Sequence, residues 1–347
     1  MMIKPIDWRG DHLRLLDQRK LPAEETYVTC AHWREVADAI RDMVVRGAPA
    51  IGITAAYGYV LGARALGSLS DTAPLEKLKA GLYATRPTAV NLGWALDRMH
   101  ALATESDRSA ELRDLEALAE RIEHEDREMC ERMGHHGADF LGKVGRVLTH
   151  CNTGALATGG AGTALAVIRE MHRRHPLDTI YVDETRPYLQ GSRLTAWELY
   201  REELPACLIT DSMAGHMMKC GRVDAVVVGA DRIARNGDVA NKIGTYSLAV
   251  LCHHHKIPFV VVAPTSTYDP ACATGEHIEI ENRPLDELKF VGDVQISPSG
   301  VQGENPSFDV TPNHLITAII TEVGIVQQGE FERLAQHHDL SESKDFG

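Results

Sequence analysis

Two side chains in this sequence stand where chemistry is commonly done: the carboxyl of Asp231 and the thiol of Cys151. Asp231 follows Val226-Val227-Val228-Gly229-Ala230, a β-branched run that ends in small residues and then a charge. Such a run reads as a strand buried on both faces of a parallel sheet, and ligands bind just past the carboxyl ends of such strands. Asn241 and Lys242 lie further along the same connection. The alternative is that Asp231 caps a following helix. Cys151 also ends a strand-like run and precedes Asn152-Thr153-Gly154. A helix starting there would favour its thiolate, whereas a buried structural cysteine is the ordinary alternative. If the two strands are neighbours, a thiol and a carboxyl face one cavity and can divide acid–base work.

Two other stretches carry an arginine to a helix start. Arg46-Gly47-Ala48-Pro49 places proline where the first helical turn tolerates its missing N–H. The amides of Gly47 and Ala48 would then face an anion, with Arg46 adding a formal charge; a plain helix–helix turn is the alternative. Arg86-Pro87-Thr88-Ala89 repeats the arrangement, so Arg46 and Arg86 together suggest an anion site. Gly159-Gly160-Ala161-Gly162-Thr163 lacks the lysine of a P-loop and has Leu165 where a dinucleotide fingerprint needs glycine, so it reads as a tight turn. His253-His254-His255 splay around a helix, and His124, Cys130, His135 and His136 lack a zinc spacing, so no metal is expected.

The elements that must hold these groups fall into two regimes. The first thirty or so residues suggest a small β element, and the spacing of Val36, Ile40, Met43 and Val44 predicts a helix over 37–45. Gly47 to Ala63 is a long uncharged stretch, too short for a membrane span and rich in Gly and Ala, as in a buried helix. Gly58 and Gly62 imply that another backbone packs closely against it. From Ser109 to about Leu141 the pattern is a long amphipathic helix with a solvated charged face. The domain boundary is placed within it: residues 1–125 as a mainly helical domain with a small β element, 126–347 as a Rossmann-like catalytic domain. In the second half Val144–Thr149, Thr179–Val182, Cys207–Thr210, Ala225–Val228 and Phe259–Ala263 alternate with helices such as Ala164–His172 and Thr245–His253. That alternation predicts an α/β fold with a central parallel sheet and right-handed crossovers. Each strand ends in small or polar residues, which converge at one sheet edge. Asn305 to Pro312 reads as a constrained loop leading to a helix around Ile316–Ile320, and the tail from Ser341 as a frayed end.

Composition excludes several classes. With 347 residues, 44% hydrophobic and 24% charged, the chain has the make-up of an ordinary soluble protein of two-domain size. A net charge of −13 argues against nucleic acid, whose phosphates need clustered Lys and Arg, but not against one small anion held by converging donors. Seven cysteines without motif spacing suggest free thiols in a reducing compartment, and Met1 to Asp7 is followed by no apolar signal segment, so a cytoplasmic location is expected.

The motifs Arg46-Gly47-Ala48-Pro49-Ala50-Ile51-Gly52, His150-Cys151-Asn152-Thr153-Gly154, Asp183-Glu184-Thr185-Arg186-Pro187, Leu189-Gln190-Gly191-Ser192-Arg193-Leu194, Gly229-Ala230-Asp231-Arg232-Ile233 and Asn241-Lys242-Ile243-Gly244-Thr245 resemble those of the methylthioribose-1-phosphate isomerases. These belong to the superfamily that includes the regulatory subunits of translation initiation factor 2B, and the match runs in order from about residue 40 to 326. The resemblance implies a helical N-terminal domain, a Rossmann-like domain and a homodimer. It implies conversion of 5-methylthioribose 1-phosphate to 5-methylthioribulose 1-phosphate in methionine salvage, without a cofactor. It makes Asp231 the proton donor and Cys151 the second catalytic residue. It gives Arg46, Gly47, Ala48, Arg86, Gln190, Asn241 and Lys242 to substrate and phosphate. Because phosphate occupies the anomeric oxygen, ring opening requires protonation of the ring oxygen. Asp231 must then hold a proton near neutral pH, which desolvation beside Val226–Val228 would favour. Two alternatives stay open: an isomerase of a related sugar 1-phosphate (5-deoxyribose 1-phosphate or ribose 1,5-bisphosphate), or a non-catalytic regulatory binding module.

Overall fold

The computed structural model describes residues 4–87, 89–104 and 111–342. Thr88 and Ser109, together with the last residues of the expected frayed tail, lie outside them. The chain divides into two compact units: Met1–Glu131 with Thr153–Leu165, and Arg132–Asn152 with Ala166–Gly347.

In the first unit β1 (Ile6–Trp8), β2 (Leu13–Leu16) and β3 (Tyr27–Cys30) form the small antiparallel sheet expected from the N-terminal pattern. Helix α1 is Trp33–Arg41, not 37–45. Its start is set by a capping box: His32 accepts from the Arg34 amide, and Glu35 reaches back to the His32 amide. Its end precedes Met43, which takes a left-handed φ of 57°. Helix α2 (Ala48–Leu66) is the buried helix of the uncharged stretch, with proline in its first turn. Helices α3 (Thr72–Tyr83) and α4 (Val90–Thr104) pack on it. Gly58 and Gly62 do permit close packing, but against the side chains of Val36 and Leu78; the backbone approach is at Gly52, where a Cβ would lie 2.7 Å from the Asn91 carbonyl oxygen. The long charged helix α5 is Leu112–Leu141.

In the second unit the strands are β4 (Arg146–Thr149), β5 (Thr179–Asp183), β6 (Ala206–Ile209), β7 (Ala225–Val228), β8 (Arg232–Ala234), β9 (Val239–Lys242), β10 (Phe259–Val262) and β11 (Tyr268–Asp269). They are followed by β12 (Phe290–Val291), β13 (Val294–Gln295), β14 (Phe308–Thr311), β15 (Ala318–Ile320) and β16 (Ile325–Gln327). The five strand-like runs of the sequence are all present, as β4, β5, β6, β7 and β10. They lie in a seven-stranded sheet of order β16-β15-β10-β7-β4-β5-β6, parallel except for β16. Helices α6 (Ala164–Arg174), α7 (Ala196–Arg201), α8 (Ala214–Lys219) and α9 (Thr245–His255) connect them. Every residue of β7 and β10 is buried, which their Val-rich sequences require between two covered faces. The expected helix around Ile316–Ile320 is instead strand β15: its apolar residues extend the sheet beyond β10, pairing Val260 with Ala318 and Val262 with Ile320. Part of the expected loop before it is also a strand, β14. A second sheet, β11-β8-β9-β14, takes β8 and β9 from the connection after β7, and β11 and β14 from the segment between β10 and β15.

Candidate active site

Strand order decides where the thiol and the carboxyl go. β4 lies at the centre of the large sheet, with β5 on one side and β7 on the other, Val147 opposite Ala225 and Leu148 opposite Val226. The strands bearing Cys151 and Asp231 are therefore neighbours, and both residues follow carboxyl ends at the point where connections leave in opposite directions. Open parallel sheets form a ligand crevice there.

Neither residue starts a helix, contrary to the simplest expectation for each. Asp231 leads directly into β8, and its amide donates to Ala240 O at 2.9 Å, so the β8–β9 ladder sets Asp231 beside Asn241. After Cys151, Ala155–Ala157 is a single 3-10 turn, and α6 begins only at Ala164. Cys151 is half-buried, not a core cysteine. Its φ of 63° is left-handed, a conformation L-residues hold only when their surroundings enforce it. Here two threonine hydroxyls do so. The Cys151 amide donates to Thr185 Oγ1 at 2.9 Å, and Thr195 Oγ1 donates to the Cys151 carbonyl at 2.6 Å.

The other candidates of this unit surround the same connections. Gln190 is buried at the start of a π-helical turn, Gly191–Thr195, and its Oε1 has no hydrogen-bond partner among the described residues. An unmatched buried acceptor in a π-turn is the kind of feature found at ligand sites. Asn241 is buried and donates through Nδ2 to Thr245 Oγ1 at 3.0 Å. Lys242 Nζ donates to Ser307 O at 2.8 Å and lies 4.6 Å from the centre of the Phe308 ring.

Two side chains given no role from sequence organise this region. His150 and Asp183 are each 1% exposed; His150 Nδ1 is 3.0 Å from Asp183 Oδ2 and Nε2 is 2.9 Å from Ile243 O. Burial alone would lower the His150 pKa, but the Asp183 hydrogen bond and charge outweigh it, and the net direction is up. Burial also raises the Asp183 carboxyl. With Asp211 these groups place metal-type ligand atoms within 4.8 Å of one another. The cluster is nevertheless a hydrogen-bond network: His150 has spent both nitrogens, and the Asp211 oxygens accept the Thr185 and Arg186 amides at 2.7 Å each. The signal available in sequence was position alone, since both residues sit at strand ends inside the family-like motifs.

The first unit holds the remaining candidates. Arg46 is buried, and Gly47, with φ of 96°, caps α2; a Cβ on Gly47 would lie 2.6 Å from Ala157 Cα, so glycine alone fits. Gly52 of α2 lies against Asn91, in the first turn of α4, so the starts of both helices are at one end. Arg46, Gly47 and Ala48 lie at the start of α2, and Arg86 lies four residues before the start of α4. The glycine run is a tight turn in this unit, and its Gly159 amide is spent on Asp126 Oδ2 at 2.6 Å.

Fold and site define a class. The chain belongs to the Initiation factor 2 subunit family, whose sequence pattern matches residues 44–328. It is 50% identical over 340 residues to the methylthioribose-1-phosphate isomerase of Alcanivorax borkumensis, covering 98% of each chain. It is 54% identical over 327 residues to that of Thermotoga petrophila, covering 93% of this chain and 95% of the relative. Among solved structures, 5-methylthioribose 1-phosphate isomerase from Pyrococcus horikoshii superimposes with a TM-score of 0.90 at 42% identity, covering 98% and 96% of the two chains. The translation initiation factor eIF-2B subunit delta from A. fulgidus gives 0.83 at 41%, covering 97% of this chain and all of that one. Among the described residues no helix is long and apolar enough to cross a membrane.

Proposed function

We propose that this chain isomerises 5-methylthioribose 1-phosphate to 5-methylthioribulose 1-phosphate, in methionine salvage. The observation that carries the reading is the near-full-length identity of about half to isomerases of that name, in a chain that keeps a thiol and a carboxyl on neighbouring strand ends. In this reading Asp231 protonates the ring oxygen as its bond to C1 breaks, and the hydrogen on C2 then moves to C1. By a hydride shift it travels directly, Cys151 stabilises the charge, and the 2-hydroxyl proton returns to Asp231. By proton transfer Cys151 removes it as a base and an enediol intervenes. Arg46, Gly47, Ala48 and Arg86, with Gln190, Asn241 and Lys242, take phosphate and sugar hydroxyls. Substrate deuterated at C2 separates the two routes, because a hydride shift keeps the label and an exchanging base loses it to water.

The deciding experiment follows ketose formation by phosphorus NMR from 5-methylthioribose 1-phosphate, 5-deoxyribose 1-phosphate and ribose 1,5-bisphosphate. Wild type, Cys151→Ser and Asp231→Asn are compared. Ketose from the methylthio sugar, lost in both variants, is the expected result; no ketose from any substrate overturns it in favour of a regulatory binding module. The likeness to an initiation-factor subunit is what keeps that second reading in the test.

The reading also includes a Rossmann-like catalytic domain, a cytoplasmic location, to which the free cysteines are suited, and a homodimer. Support for the dimer comes from edge strand β6, where Leu208 is 51% exposed, and from Tyr200 and Met213 beside it in the chain at 80% and 44%. An open, apolar sheet edge invites another chain. Leu208→Arg is expected to shift the sedimentation coefficient from dimer to monomer; an unchanged dimer places the interface elsewhere.

A further inference from the structure

We propose that His150 and Asp183 form a proton-locked clasp that positions Cys151 relative to the Asn241–Gly244 turn, and that losing one shared proton opens it. The inference rests on the functional reading above only in taking Cys151 and Lys242 as parts of the working site.

The number of protons in the pair is fixed by its acceptors. A backbone carbonyl only accepts, so His150 Nε2, 2.9 Å from Ile243 O, must carry a hydrogen. The 3.0 Å contact between Nδ1 and Asp183 Oδ2 then needs a second proton. That proton sits on Nδ1, giving imidazolium and carboxylate, or on Asp183, giving imidazole and carboxylic acid. Either arrangement satisfies both contacts. Once the second proton leaves, the ring keeps one hydrogen for two acceptors. Lone pairs must then oppose each other, at Asp183 or at Ile243, and one contact is lost. At 1% exposure neither group is open to bulk water, so the lost contact leaves a buried polar group unmatched.

The clasp joins pieces that no ladder joins. His150 precedes Cys151 at the end of β4, in the seven-stranded sheet, whereas Ile243 follows Asn241 and Lys242 at the end of β9, in the four-stranded one. Gly244, with φ of 105°, lets the turn lie flush on the ring: a Cβ there would be 3.0 Å from the imidazole carbon. The far side of the turn is held by Asp309, which accepts the Gly244 and Tyr246 amides at 2.8 and 3.0 Å. Release at His150 therefore frees one side of a turn gripped from two. The strongest charges acting on the pair are carboxyls: Glu184 at the end of β5, Asp211 after β6 and Asp309 on β14. Each favours retention of the proton, so the clasp is closed at neutral pH and opens on the alkaline side. His150 and Asp183 are positioning residues, since neither is placed on substrate.

The test uses the full chain and two readouts. Histidine nitrogen shifts are followed by NMR from about pH 6 to about pH 11, with His150 assigned by its absence in His150→Gln. In parallel, kcat and KM are measured across the same range for wild type and Asp183→Asn. An asparagine amide donates to Nδ1 of a neutral imidazole whose Nε2–H still holds Ile243, so Asp183→Asn keeps both contacts with no proton to lose. In wild type, kcat should fall about tenfold per pH unit above one apparent pKa, and the His150 shifts should move in step. In Asp183→Asn the fall that follows His150 should be absent and His150 neutral throughout, leaving only the alkaline limb at which Asp231 loses the proton it gives to the ring oxygen. A wild-type His150 that does not titrate with the activity overturns the clasp, even if the variant fails to fold. So does an alkaline fall whose midpoint is the same in Asp183→Asn as in wild type, which would assign it to Asp231, Cys151 or Lys242. Wild-type protein inactive on methylthioribose phosphate would instead sink the functional reading, and the ring titration would still decide the clasp.

Discussion

Asp231 and Cys151 are presented by different means, and their replacements should fail differently. Asp231 hangs from a ladder residue bonded to Ala240 O, so Asp231→Asn keeps the backbone and removes only the transferable proton. A positioned general acid contributes about 10²–10⁴ in rate, and kcat should fall by that much while binding of a product analogue is retained. Calorimetry alongside the assay checks this; turnover near wild type would remove Asp231 from the acid role. Arg86→Ala deletes one charge-assisted contact, worth about 1.5–3 kcal/mol. The expectation is KM raised roughly 10- to 100-fold with kcat little changed, and an unchanged KM would take Arg86 out of phosphate binding. Neither change reaches Thr185 or Thr195, which hold the left-handed backbone of Cys151.

At the scale of elements, the start of α2 is the part most dependent on one residue. Gly47→Ala forces a Cβ onto a φ of 96° and against Ala157. The left-handed backbone alone costs about 1–2 kcal/mol, so urea midpoints should drop and, because Arg46 is the preceding residue, KM should rise with them. A variant of full stability and normal KM would show that this cap does not shape the anion site. The elements legible in the sequence were those whose own residues settle their state. Val226–Val228 and Phe259–Val262 are β-branched or aromatic on both faces, and the uncharged Gly47–Ala63 stretch has few ways to be other than a buried helix. What was not legible depends on partners distant in sequence. Strands β9 and β14, Val-Ala-Asn-Lys and Phe-Asp-Val-Thr, carry too little apolar periodicity to announce themselves; they are strands through their mutual pairing, with Asn241 opposite Asp309. Ala318–Ile320 is apolar in either state, and only the free side of β10 makes it a strand. The start of α1 was hidden because its cap is a histidine, outside the usual Ser, Thr, Asp and Asn. Site residues were legible where a type and a strand end coincide, as at Cys151 and Asp231. His150 and Asp183 were not, because a buried pair is defined by its geometry.

At the scale of the whole molecule, acid stability tests how far surface charge ties elements together. In the second unit α6 packs on the last turns of α5: a Cβ on Gly134 would lie 3.1 Å from Ala166 O, and Gly137 lies against the side chain of Val167. Glu170 of α6 adds a polar seam to that contact, accepting from Arg173 at 2.7 Å, from Arg174 at 2.7 Å and bonding His135 of α5 at 2.9 Å. The Arg173 hydrogen bonds, helped by Arg174 and His135, hold its carboxyl down at about 2, against an ordinary value of 4.5. A carboxyl depressed on folding stabilises the native state above its unfolded pKa, and that contribution fades as pH falls toward the folded one. Arg173 and His135 are largely in water and Arg174 partly so, so the effect is screened and should be smaller in high salt. Glu170→Gln removes the titration but keeps the shape. The expectation is a variant less stable than wild type at neutral pH, with the gap narrowing steadily once pH drops below about 4.5, measured as urea midpoints at matched ionic strength. A gap that stays constant from neutral pH down to about 3 would mean that α6 is held by its apolar face alone, and that Glu170 is surface decoration.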